Sequence, residues 1–297
     1  MSDLEWPLAP LLPEAPVGAI GLIHGMSEHL GRYRRFAEAL VAAGWAVYGH
    51  DFPGHGPEAE ARDIMGDIGP EGWSGLVDHV GRLVEQMRAA HPGLPVGLFG
   101  HSMGSLVLQG YMTDRAARGA DFVALSGTSG PPPALATLGR LVVRLERLRA
   151  GPGGKSLLID GLSFGAYNRA FRPNRTDFDW LSRDPAEVDA YVSDPLCGAQ
   201  ASIRTWQEIL DALPRLTKPA ALARVPKHLP IYVLSGDADM VGDRGVGVNA
   251  LVDRYRAAGL TEVEVHIYPE ARHELLNESN RDEVTSDFLE WLKARGA

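Results

Sequence analysis

Gly100-His101-Ser102-Met103-Gly104 sets a serine between two glycines, after the apolar run Val96–Phe99 and before the helix-compatible run Ser105–Met112. Strand, sharp turn and helix in that order make a nucleophile elbow, which lifts the serine hydroxyl clear of the sheet. The glycines leave room for backbones to approach, and the helix N-terminus behind Ser102 favours developing negative charge. A serine hydroxyl is a weak nucleophile until an imidazole takes its proton, and the imidazole needs a carboxylate to fix its tautomer. Of ten histidines, His273 is the best-placed base, in the loop Pro269-Glu270-Ala271-Arg272-His273-Glu274. His101 lies inside the elbow, with its side chain expected to point away from Ser102, and His29 and His55 flank other turns. Three carboxylates, Asp237, Asp239 and Asp243, follow the strand-like Ile231–Gly236. Asp239 is favoured, because a few residues past the strand end are needed to reach the imidazole. The tetrahedral oxyanion needs rigid donors, and the backbone N–H groups of Met103 and Met26 are the natural pair.

These residues converge only if the right elements carry them. Short, nearly uncharged apolar runs predict strands at 17–23, 45–50, 96–100, 122–127, 231–236 and 263–268, alternating with helical patterns at about 32–43, 71–91, 247–258 and the C-terminus. That alternation implies a mostly parallel sheet flanked by helices, with six strands and room for a seventh. Loops at the carboxyl ends of such strands share one edge, where ligands bind. The rhythm stops at Pro131-Pro132-Pro133 and resumes after Pro214. Residues 1–130 and 215–297 therefore read as the core, and residues 131–214 as an inserted helical cap with helices near 134–149, 164–170, 186–192 and 202–212.

Composition bounds the alternatives. The chain has 297 residues, 45% hydrophobic and 23% charged, with a formal net charge of −9. That balance argues against a nucleic-acid partner, whose phosphates reward clustered lysine and arginine. The single Cys197 can form no internal disulfide and reads as a buried structural thiol. Met1-Ser2-Asp3-Leu4-Glu5-Trp6 carries acids where a signal peptide needs bases, and no apolar run approaches the roughly 18 residues of a membrane span. A cytoplasmic protein is expected. Neither His-Glu-X-X-His nor paired Cys-X-X-Cys spacing occurs, so no metal or organic cofactor is expected.

The order Ser102, Asp239, His273 along the chain is that of the α/β-hydrolases. Several segments carry the likeness further: His24-Gly25-Met26-Ser27-Glu28-His29 with Arg32-Tyr33, Asp51-Phe52-Pro53-Gly54-His55-Gly56, the elbow itself, and Tyr268–Glu274. Together they resemble the monoacylglycerol lipase and lysophospholipase branch of that fold family. Phe178–Asp184 and Asp194–Gly198 look like its bacterial members. The resemblance runs from about residue 17 to the end. It implies the α/β-hydrolase fold, Ser102 as nucleophile, Asp239 as acid, His273 as base, and Met26 and Met103 as oxyanion amides. Ser105 stands where the family often has glycine. The implied activity is hydrolysis of monoacylglycerol-like lipid esters, a small-molecule substrate. Lysophospholipase, serine peptidase or amidase, and a non-catalytic ligand receptor are the competing readings, and the oligomeric state is left open.

The cap holds ten basic and ten acidic residues, so the −9 belongs to the core. Its 134–149 helix lines up Leu135, Leu138, Leu141, Val142, Leu145 and Leu148, with four arginines against Glu146. Two readings stand for that stripe. It packs over the site as a lid and wall for an acyl chain, or it makes transient contact with a membrane surface.

Overall fold

The computed structural model describes Pro7, residues 9–132 and residues 136–296. Six strands form one parallel sheet: β1 (Gly18–Ile23), β2 (Trp45–Gly49), β3 (Val96–His101), β4 (Phe122–Ser126), β5 (Ile231–Gly236) and β6 (Val263–Tyr268), in the spatial order β2-β1-β3-β4-β5-β6. Parallel pairing buries both sheet faces, which is why these strands lack the polar–apolar alternation of a half-exposed sheet. Adjacent residues serve opposite cores. Leu98, Val123 and Val233 face one cluster, while Phe99, Ala124 and Leu234 face the other.

Twelve α-helices, among the described residues, complete the chain. They are α1 (Arg34–Ala42), α2 (Gly56–Ala61), α3 (Gly72–Ala90), α4 (Met103–Asp114), α5 (Ala136–Ala150), α6 (Leu157–Leu162), α7 (Phe164–Arg169), α8 (Pro185–Ser193), α9 (Ile203–Leu216), α10 (Pro219–Leu222), α11 (Val246–Ala257) and α12 (Arg281–Lys293). α3, α4 and α11 bury their apolar stripes on one sheet face, and α1 and α12 on the other. This is the α/β-hydrolase architecture. Among the described residues no seventh strand forms; the N-terminal lead-in meets the sheet in an antiparallel bridge, Leu11 to Val47, on the β2 edge.

Between β4 and β5 the chain is helical, as its pattern predicts. The boundary at 214 is less clean. α9 continues through Pro214 to Leu216, with Ile203 and Trp206 in a cap cluster and Ile209, Ala212 and Leu216 in the main core. One helix thus ties the insertion to the sheet, and the division falls inside it. Leu135 and Ala134 lie outside the described residues.

The α5 stripe corrects one expectation. Leu138, Leu141, Leu145 and Leu148 are 53–86% exposed and none lines the cavity, so they are not the wall of an acyl site. The helix instead turns Val143 and Val142 inward, against the cluster of Ile159, Ile203 and Trp206. A stripe at three- and four-residue steps shows that a helix is two-faced; which face is covered depends on the neighbour.

Candidate active site

The elbow forms where the glycines predict it. A Cβ on Gly104 would stand 2.4 Å from the Ile23 carbonyl oxygen, and one on Gly100 would stand 2.8 Å from the Gly104 carbonyl. Ser102 sits between them at φ 51°, ψ −119°, a left-handed backbone that a non-glycine residue adopts only when its surroundings impose it. The Ser102 N–H donates to the Ser126 carbonyl (2.9 Å), pinning the turn to β4. α4 begins at Met103, whose N–H is among the first-turn amides that have no intrahelical acceptor.

Asp239 and His273 meet although 34 positions separate them. Both carboxylate oxygens of Asp239 lie 3.0 Å from His273 Nδ1, and the two side chains are 0% and 2% exposed. The Val241 N–H donates to Asp239 Oδ1 (2.9 Å) and holds the carboxylate in place. Asp237 turns elsewhere and accepts from the Glu270 N–H (2.6 Å). Asp243, at φ 51°, belongs to the turn leading into α11. Burial pushes the His273 pKa down, but the Asp239 charge and hydrogen bond outweigh it, and Glu274 and Glu28 add to the net upward shift.

Ser102, His273 and Met26 line one cavity of about 500 Å3. The His273 ring bonds to Asp239 through Nδ1; a bond from a nucleophile hydroxyl to such a ring commonly tightens only with substrate bound. The Met26 N–H donates to no described residue. Met103 is buried behind the elbow.

Several side chains around His273 are not legible as site residues from sequence. Trp180 lies 5.0 Å from the His273 ring, centroid to centroid, and stacks on Phe164 at 5.4 Å. His101, read above as turned away from the serine, lines the cavity and packs on His273 at 4.7 Å. Burial first, and the neighbouring His273 second, hold its pKa down at about 4, so it stays neutral beside His273. The Trp180 signal is the segment Phe178–Asp184, which the resemblance singles out without a role. His101 has no signal beyond its place in the elbow.

His55 and His29, which flank other turns, make local and core-to-cap contacts. His55 is buried with Nδ1 3.0 Å from the Pro53 carbonyl. His29 Nε2 lies 2.9 Å from Asp194 Oδ2, joining core to cap, and Cys197 completes a trio whose ligand atoms lie within 4.8 Å. The Gly31 N–H donates to His29 Nδ1 (3.2 Å), so the proton sits on Nε2 and points at Asp194. A metal at Nε2 would require the proton on Nδ1, facing another donor. Cys197 is partly buried, and burial pushes its thiol pKa up.

The family model for serine aminopeptidase, S33, matches residues 14–280. The chain belongs to this family. Human monoglyceride lipase is 30% identical over 287 residues, covering 95% of this chain and 84% of the human protein. The monoacylglycerol lipase of Mycolicibacterium smegmatis is 28% identical, covering 93% of this chain and 88% of its own. Among solved structures, a thermostable carboxyl esterase from Bacillus coagulans in complex with glycerol superposes with a TM-score of 0.88 at 29% identity, covering 96% of this chain and 93% of that one. This S33-family member is a hydrolase of the lipase and esterase type. Among its described residues no helix is long and apolar enough to cross a membrane.

Proposed function

We propose that this S33-family protein is a serine carboxylester hydrolase that cleaves monoacylglycerol-like lipid esters through an acyl-enzyme on Ser102. The observation that carries the reading is the buried Asp239–His273 pair on the same cavity as Ser102. Ser102 Oγ attacks the acyl carbon while His273 takes its proton, with Asp239 holding the imidazole and stabilising the imidazolium. The Met26 and Met103 amides receive the oxyanion, and losing one such donor costs roughly 3–4 kcal/mol of transition-state stabilisation. Collapse of the intermediate breaks the acyl–oxygen bond, and His273 returns the proton to the departing alcohol. Water then attacks the acyl-enzyme, giving its proton to His273, and the fatty acid leaves as Ser102 is restored.

The cavity wall supports an amphiphilic substrate. Phe164, Trp180 and Leu181 are apolar, whereas Asn174, Asp177 and Gln200 offer polar groups. Two relatives carry a monoacylglycerol lipase name, which supports glycerol as the alcohol. We take residues 131–214 as the cap over this site, and the cytoplasm as its compartment on the strength of the lone cysteine. The exposed α5 leucines, beside Arg140, Arg144, Arg147 and Arg149, form a surface for transient contact with lipid.

Turnover of monoacylglycerols, lysophospholipids, short p-nitrophenyl esters and aminoacyl anilides tests the assignment. Medium- or long-chain monoacylglycerols are expected to give the highest kcat/KM, at roughly 0.8 kcal/mol per buried methylene until the cavity is filled. Faster anilide or acetate turnover overturns the substrate, and an unlabelled Ser102 after fluorophosphonate treatment overturns the mechanism.

A further inference from the structure

Three charged side chains beneath the site take no part in the steps above, yet they are among the most buried in the molecule. Arg32 Nη1 donates to Glu28 Oε2 (2.7 Å) and to Glu274 Oε1 (2.6 Å), and Nη2 donates to Glu274 Oε2 (2.6 Å). Their side chains are 10%, 4% and 6% exposed. Burying charge is costly unless each group is paired and hydrogen-bonded, and these groups are. Tyr33 Oη donates to Glu28 Oε1 (2.8 Å), and Asn277 Nδ2 donates to Glu274 Oε2 (3.0 Å). Burial pushes the Glu28 pKa up, but Arg32 and neighbouring donors outweigh it and hold the carboxyl at about 2.

The cluster spans elements that the reaction must hold together. Glu28 follows β1 and its Oε1 accepts the Gly25 N–H at 2.6 Å, one residue before Met26. Arg32 lies in the turn Leu30–Tyr33. Glu274 directly follows His273, and its own N–H donates to the cap residue Leu181 (2.8 Å). There is little slack at Gly25, where an added Cβ would lie 2.7 Å from Glu28 Oε1 and 3.1 Å from the Ser102 Cβ. The cap presses on the same loop. The Tyr191 ring covers the Arg32 guanidinium at 4.8 Å, and its hydroxyl donates to the Ser27 carbonyl (2.8 Å).

We propose that Glu28, Arg32 and Glu274 form a clamp that positions the Gly25–Met26 amides against the His273 loop, so that oxyanion binding and proton transfer act on one bound ester. Glu28 and Glu274 border the cavity, but their carboxylates are taken up by Arg32, Gly25, Tyr33 and Asn277; we assign the three as positioning residues, and the proposal rests on the roles given above to Ser102, His273 and Met26. One arginine between two carboxylates also leaves the cluster net negative when all three are ionised, which favours the imidazolium that His273 becomes in the transition state. The loss of either carboxylate therefore acts on geometry and on charge.

The test compares Glu28→Ala, Glu28→Gln and Arg32→Lys on a soluble ester, well below each variant's unfolding temperature. Glu28→Ala is expected to lower kcat about 10²-fold with KM within about twofold, the scale at which small misplacements cost rate. Glu28→Gln keeps an oxygen for the Gly25 N–H and is expected to recover most of kcat. It removes a charge that raises the His273 pKa, so the acid limb of its kcat/KM profile moves to lower pH. A cluster that only staples the fold would lower Tm in all three variants and leave kcat and the acid limb unmoved, which overturns the proposal. Should Glu28→Ala fail to fold, amide exchange of Gly25 in the wild-type protein decides. Exchange as fast as in an exposed loop sinks the clamp, and protection, lost in Arg32→Lys together with kcat, upholds it. Fluorophosphonate labelling of the wild type keeps the two ideas apart. An inert Ser102 beside a protected Gly25 removes the catalytic reading and the positioning role, whereas a reactive Ser102 with unmoved variants removes only the clamp.

Discussion

Below the cavity, Asp239 and His273 are almost wholly buried and joined by 3.0 Å contacts, while above it four leucines of α5 stand 53–86% exposed. The lower side is carried on strand ends of a close-packed sheet. The upper side is carried on helices, two of only six residues, whose own clusters are small. Proton transfer and oxyanion binding need atoms held within fractions of an ångström, which strand ends in a dense core provide. Choosing among esters needs area and shape more than fixed geometry, and a helical insertion supplies those. On the mechanism proposed above, the chemistry belongs to the sheet edge and substrate choice to the cap.

The sharpest break of that division comes from the lower side. Ser102→Ala is expected to remove turnover by about 10⁶-fold, as nucleophile loss does in another serine hydrolase, with an unchanged melting curve. Activity within tenfold of wild type would end the mechanism. Asp239→Asn should cost about 10⁴-fold, because an amide can hold the ring but cannot stabilise imidazolium. Asp237→Asn, whose amide oxygen can still accept the Glu270 N–H, should stay within a few-fold. Reversal of that ranking in initial rates would move the acid.

The pH dependence sharpens the same side. As the proposed base, His273 would act only when neutral, and it is raised above its ordinary 6.5, so the acid limb of kcat/KM should lie above pH 6.5. A limb below that value would separate His273 from its carboxylate. Stability has the corresponding sign. The His273 pairing contributes fully below pH 6.5 and is lost as pH rises through the higher folded value. Glu28, depressed from 4.5 to about 2, contributes above 4.5 and loses that as pH falls toward 2. Urea midpoints measured across pH check both.

The smallest effect is expected from the upper side. Leu138→Ser with Leu145→Ser changes exposed positions, so stability should move by no more than about 0.5 kcal/mol for each and acetate turnover should hold. Turnover of long-chain monoacylglycerol presented on vesicles should fall several-fold, together with co-sedimentation. Equal losses on both substrates would show that α5 serves the fold and not the lipid surface.

Much of the lower side can be read from residue order. The elbow glycines, the six apolar runs and the β/α alternation are local patterns, and each is imposed by backbone sterics or by burial of a strand on both faces. The candidate residues Ser102, Asp239 and His273 follow from where those strands end. The choice among Asp237, Asp239 and Asp243 is different. It rests on a loop path that brings one carboxylate to an imidazole 34 positions away and sends its neighbour to the Glu270 amide. α9 runs on through Pro214 because Ile209, Ala212 and Leu216 pack into the main core, which periodicity within the insertion does not mark.

Sequence by itself determined that this chain folds as a parallel sheet with a helical insertion, because strand, turn and helix preferences are written over short windows and agree with one another. It also determined which residue types could reach the sheet edge. Only the tertiary structure decided which face of α5 is covered, that His101 and Trp180 pack on the base, and that Glu28, Arg32 and Glu274 share one buried cluster. Those outcomes depend on contacts between residues up to 242 positions apart. Periodicity records that a side chain has an apolar or charged character; what stands opposite it is set by the packing of the whole chain.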